Sequence, residues 1–149
     1  MIKKYILIIS VICLLTNCGF SPIYLNSNNA NFSIEQVNYT GDRDLNNFLK
    51  INLNKYKNIK KNNKISINVE SKYEKNILSK DGTGKITSYE LKAEVIFLIK
   101  SNNKKIKITE KKIIDSMDDK FEEARLENSV KKSFAFSMSN KLSSELTIN

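Results

Sequence analysis

Residues 87–108 read TSYELKAEVIFLIKSNNKKIKI, and the reading of this stretch decides the fold. Thr87, Tyr89, Leu91, Ala93, Val95, Phe97 and Ile99 recur at every second position, the period of a strand with one buried face. A run of Lys, Ser and Asn interrupts the pattern before Ile106 and Ile108 resume it. A two-residue loop at Asn102-Asn103 places Ile99 opposite Ile106 and Phe97 opposite Ile108, so both apolar sets face one side.

The same test extends upstream. Ile65, Ile67, Val69 and Tyr73 alternate with polar residues. A five-residue connection KDGTG (Lys80 to Gly84) pairs Val69 with Val95 and Ile67 with Phe97. A two-residue loop at Asp81-Gly82 would instead turn one strand inside out. After Ile108 the pattern weakens, because Glu110 and Lys112 fall on the core phase.

Helices flank this meander. Leu45, Phe48, Leu49, Leu53 and Tyr56 recur at steps of three and four, which predicts an amphipathic helix over roughly Asp44 to Tyr56, capped by Asp42 or Asp44. Before it, Phe32 to Thr40 is a strand whose apolar phase switches between Ile34 and Val37, the mark of a bulge or of two-sided burial. Gly41-Asp42 makes the turn. At the other end, Ser116 or Asp118 opens a long helix whose stripe is Leu126, Val130, Phe134, Met138, Leu142 and Leu146. Phe136 lies off that stripe, as a partner contact or a chance surface residue. The order is strand, helix, three strands, helix. It predicts an α+β two-layer sandwich: a four-stranded, mostly antiparallel sheet with both helices packed on one face.

The chain has 149 residues, enough for one such domain plus appendages. It has no His and no Trp, so the commonest general base and metal ligand are missing. No metal-ligand cluster, nucleophile elbow or phosphate loop stands in the sequence, and DGTG suits a hairpin loop. Glu122 and Glu123 read as helix-surface residues. The expectation is a protein that is not an enzyme, with no cofactor and no metal site. The net charge of +9 comes almost entirely from Lys, with Arg43 and Arg125 as the two guanidinium groups. That excess fits an anionic partner, and equally a composition rich in Lys, Asn and Ile together.

Residues 1–17 carry the marks of an export signal. Lys3 and Lys4 precede an apolar run from Tyr5 to Leu15, too short to span a bilayer. Leu15-Thr16-Asn17-Cys18 follows directly and resembles the lipobox of bacterial lipoproteins, departing from it at Asn17. The alternative is a plain signal peptide with an incidental Cys. Cys13 would leave with the signal, so Cys18 would be the single Cys of an exported chain, a liability that lipidation removes. Residues 18–31 then read as lipidated N-terminus and tether, and 32–149 as the domain. Gly19 rather than Asp after the Cys resembles outer-membrane sorting.

The run Cys18-Gly19-Phe20-Ser21-Pro22-Ile23-Tyr24, joined to this order of elements, resembles the lipopolysaccharide-assembly lipoproteins of the LptE type, the alphaproteobacterial members above all. Ile23 stands where Leu is usual, and Ser21 where a basic residue is common. The resemblance implies a lipid-anchored outer-membrane protein on the periplasmic side. Such a protein plugs an LptD-type β-barrel and binds lipopolysaccharide during its assembly at the cell surface. Export makes nucleic acid an unsuitable partner. The alternative is an anchored accessory subunit of another envelope transporter or secretion channel, without lipopolysaccharide specificity; a periplasmic hydrolase is the least supported class.

Strand directions sort the lysines into two ends. The loop from Ser79 to Lys85 gathers with the Gly41 turn and the Met117 junction, far from the anchor. Lys80 and Lys85 are therefore the candidates for lipopolysaccharide. Lys57, Lys60, Lys61 and Lys64 gather with Lys100, Lys104 and Lys105 near the tether, to meet anionic head groups or an acidic barrel surface.

Overall fold

The computed structural model describes residues 30–57, 59–61 and 63–147; the stretch read as an export signal, Cys18 and the tether as far as residue 29 lie outside the described residues. Strand β1 (Phe32–Gly41) is followed by helix α1 (Arg43–Leu53) and a 3-10 turn (Asn54–Tyr56), then by β2 (Asn63–Lys80), β3 (Ile86–Ile99), β4 (Lys104–Asp115) and helix α2 (Lys120–Thr147). The sheet runs β1-β2-β3-β4. β1 pairs with β2 in parallel, since α1 supplies the crossover that a parallel pair requires, and the other pairs are antiparallel. This is the α+β layout read from the sequence.

One face of the sheet carries the core. Ile67, Val69, Leu91, Ala93, Val95 and Phe97 are fully buried beneath Leu45, Leu49 and Leu53 of α1 and Val130, Met138 and Leu142 of α2. Each large apolar side chain buried here stabilises the fold by about 1.5–3 kcal/mol. Phe32 and Tyr56 close the tether-side end, their ring centroids 5.3 Å apart. On α2 a strip of small residues, Ala135, Ser139 and Ser143, is also buried, and the Ser139 hydroxyl donates to the Ala135 carbonyl at 2.7 Å. Small side chains allow the helix to approach the layer beneath closely, and the back-bond satisfies the hydroxyl.

Local signals in the sequence act as expected at several points. The ladder between β1 and β2 shifts between Ile34 and Gln36, a bulge at the phase switch with Glu35 as the extra residue. Asp42 caps α1, its Oδ1 accepting the Leu45 amide at 2.8 Å. Gly41 has φ +96°, and a Cβ there would stand 1.8 Å from the Ser71 carbonyl oxygen, so only glycine fits this turn.

Several expectations need correction. Both hairpins close two residues away from the expected register: Val69 faces Phe97 and Ile67 faces Ile99, while Phe97 faces Ile106 and Val95 faces Ile108. The physical cause lies in the loops. The Asp81 carboxylate accepts from the Thr83 amide, the Thr83 hydroxyl and the Lys85 amide, which draws Lys85 into a loop spanning 81–85. In the second loop Asn102 accepts the Lys104 amide and Asn103 takes φ +52°, so the connection spans 100–103. An even shift leaves every side chain on its expected face. Past Ile108, where the alternation weakens, β4 continues without a bulge, Glu110 being held on the helix face by Ser137 and Lys141. Two further corrections concern the second half of the chain. The cap of α2 is Asp119, which accepts the Phe121 and Glu122 amides, rather than Ser116 or Asp118. Glu123 is buried rather than a surface residue.

Candidate functional site

β1 ends at Gly41, opposite Ser71, halfway along β2. β2 runs on to Lys80, so the β2-β3 hairpin projects about 30 Å beyond the turn at Gly41. The Gly41 turn is therefore at mid-sheet and not at the far end with the 81–85 loop. β4 and the start of α2 accompany the hairpin to that end.

The far end combines cations with exposed apolar side chains. Lys80 closes β2, is exposed, and has no ion-pair partner among the described residues. Lys85, at the end of the loop, reaches Asp118 Oδ1 at 2.7 Å and so ties the hairpin to the β4-α2 junction. That hydrogen bond raises the Lys85 pKa and lowers that of Asp118 from its ordinary value. Lys85, Tyr89, Met117, Asp118 and Lys120 line a hollow of about 310 Å³. At the same end Ile77 and Leu78, where the β2-β3 ladder shifts register, are half exposed, and Phe121 at the start of α2 is 71% exposed. Large exposed apolar side chains gathered at one end of a protein mark a contact surface.

A charged network anchors this end to the rest of the domain, and sequence reasoning missed it. Lys75 Nζ on β2 donates to Glu123 Oε1 at 2.9 Å and Glu127 Oε2 at 3.0 Å. Glu123 Oε2 also accepts from Lys120 Nζ and the Met117 amide, both at 3.0 Å. The Lys75 hydrogen bond is the foremost of the contacts that hold the Glu123 carboxyl at about 2, against burial pushing it up. Lys75 is pulled down by burial, but its two carboxylates outweigh this and leave its pKa raised. The ammonium of Lys75 also lies 4.3 Å from the centroid of the Tyr89 ring. The spacing of Glu123, Glu127 and Lys131 at four-residue steps was the available signal, since it puts all three on one helix face.

The tether-side lysines divide. Lys57, Lys60, Lys61 and Lys64 line one hollow of about 470 Å³ with Ser33, Glu35 and Ile59. Lys100 is exposed in its loop and its amide donates to the Ser66 carbonyl. Lys104 reaches Glu145 near the end of α2. Lys105 lies on the open sheet face, in the row Asn38–Asn68–Leu98–Lys105, where a separate groove of about 450 Å³ has Ile96 and Leu98 in its lining. Cys18 is outside the described residues.

No family model matches the chain, and no curated protein matches it. Among solved structures the fold finds relatives. The rare lipoprotein B from Shewanella oneidensis superposes with a TM-score of 0.57 at 16% identity, over 75% of this chain and 93% of that one. The fold is one that bacterial lipoproteins share. A lipoprotein B from Nitrosomonas europaea gives a TM-score of 0.51 at 20% identity, covering 76% and 86%. The minor lipoprotein from Acinetobacter baumannii gives 0.50 at 20%, covering 74% and 93%. Among the described residues of this chain no helix is long and apolar enough to cross a membrane.

Proposed function

We propose that this chain is a lipid-anchored outer-membrane protein that works with an LptD-type β-barrel in assembling lipopolysaccharide at the cell surface. It is not an enzyme. Its projecting end is the surface that meets lipopolysaccharide. One observation carries the reading: Lys85 and Lys120 line one hollow at the end of the projecting hairpin and α2, the end that also exposes Lys80, Ile77, Leu78 and Phe121. That pairing suits an amphiphile whose phosphates sit next to its acyl chains, because ammonium groups meet the phosphates while the apolar side chains meet the hydrocarbon. Lys85 is held by Asp118, so it would be recruited by exchange of one anion for another. The lipobox-like Leu15 to Cys18 and the run Cys18 to Tyr24 support the anchor and the family, and the fold shared with bacterial lipoproteins is consistent with both.

The test is lipopolysaccharide binding by the mature chain with Lys80→Ala and Lys85→Ala together. Binding falls several-fold at low salt if the reading holds, and unchanged affinity rejects the site. Co-purification from membranes tests the partner: recovery of a large β-barrel protein supports the family role, and recovery of an inner-membrane transporter instead rejects it.

A further inference from the structure

Among the described residues, the four lysines of the tether-side hollow share one concavity without an ion-pair partner. On the open sheet face Lys92, Lys107 and Lys111 each find a carboxylate on a neighbouring strand, and Lys75, Lys131 and Lys141 do so at the helix interface. Lys57, Lys60, Lys61 and Lys64 find none within ion-pair distance among the described residues, although Glu35 lies in the same hollow. Their grouping follows from the chain path. Lys57 bridges to Ile34 on the outer edge of β1, and Lys64 stands beside Ser33 on its inner edge. Lys60 and Lys61, which lie between them in the sequence, line the same hollow. Four like charges around one concavity repel each other and focus a positive potential, which an anion relieves.

The hollow also lies where the tether enters. Ala30 and Phe32 are buried at this end, and the twelve Cα steps from Cys18 to Ala30 span at most about 40 Å. A lipid on Cys18 would hold the hollow within that distance of a bilayer surface. We infer that the hollow formed by Lys57, Lys60, Lys61 and Lys64 is a binding site for the phosphate head groups of anionic phospholipid in the anchoring leaflet. Resting on the reading of Cys18 as a lipid anchor, this adds an orientation. The tether-side end faces the leaflet and the hairpin end lies about 55 Å away along β2. The two cationic ends would thus meet different lipids.

The experiment uses the chain from residue 18 onward with Cys18→Ser, so that no attached lipid contributes, and flotation with vesicles of phosphatidylglycerol or of phosphatidylcholine in 0.05 M salt. The chain partitions to phosphatidylglycerol only, and 0.5 M salt releases it. Lys60→Gln with Lys64→Gln lowers the partition about 30-fold, at about fivefold per lysine near an anionic surface. Glu35→Gln removes the one carboxylate of the hollow and raises the partition about fivefold, a gain that misfolding does not mimic. Lys80→Gln with Lys85→Gln leaves the partition unchanged, which keeps this site separable from the proposed lipopolysaccharide surface. The inference is overturned if the Lys60/Lys64 variant floats like the parent, if Glu35→Gln brings no gain, or if phosphatidylcholine binds equally. It is also overturned if 10 mM inorganic phosphate releases the chain where chloride of equal ionic strength does not, since the hollow would then be a free-anion site.

Discussion

Replacing Glu123 with Gln tests the network that fastens the projecting end. The side chain is 6% exposed and takes hydrogen bonds from Lys75, Lys120, Ser116 and the Met117 amide. Gln keeps the shape and can still accept the amide, but removes the negative charge that two ammonium groups face. The carboxyl lies at about 2 against an ordinary 4.5, which sets a ceiling of about 3.4 kcal/mol on what its ionisation contributes. Solvent screens part of this, because Lys120 is largely exposed, and Lys75 retains Glu127. The expected loss at pH 7 is therefore about 2 kcal/mol, read by urea denaturation. The sign with pH follows from a pKa depressed by folding. The contribution is present in full above the unfolded value near 4.5 and is lost as pH falls toward 2. The gap between parent and variant should narrow steadily from pH 5 to pH 3. A gap below about 0.5 kcal/mol at pH 7, or one that is constant across that range, would refute the account.

Three further outcomes follow from single features. Gly41→Ala forces a Cβ onto the Ser71 carbonyl at positive φ and should cost about 3 kcal/mol or more, measured as a lowered Tm; an unchanged Tm would mean the turn can rearrange. Asp119→Ala removes the cap of α2 and should cost about 1 kcal/mol in chemical denaturation, whereas Asp118→Ala, which caps nothing, should cost less. Leu142→Ala empties a fully buried position between α2 and the sheet and should cost about 2–5 kcal/mol, checked by the same assay.

The legible parts of this protein are those written at short range. Alternation from Thr87 to Ile108 and the four-residue ridge from Leu126 to Leu146 name a strand pair and a helix, because burial on one face imposes periods of two and of about 3.6. The phase switch between Ile34 and Val37 located the bulge for the same reason. Hairpin registers were displaced by two because the loops are set by hydrogen bonds of Asp81 and Asn102 that alternation does not encode. The lysines show the same division. Strand direction sorts them into two ends, but not into the paired and the unpaired. Lys104 and Lys105 are neighbours in sequence, yet one meets Glu145 at the end of α2 and the other lies on the open sheet face.

The sequence by itself determined the α+β class, the order of elements and which face of each strand is buried, since each depends on local spacing. Tertiary structure alone decided that Glu123 is a buried partner of Lys75, that β2 outruns β1 to project a cationic and apolar end, and that four lysines share one unneutralised hollow. Those depend on contacts between residues far apart in the chain. Electrostatics at such contacts is set by distance and solvent exposure, and neither is fixed until the layers have packed.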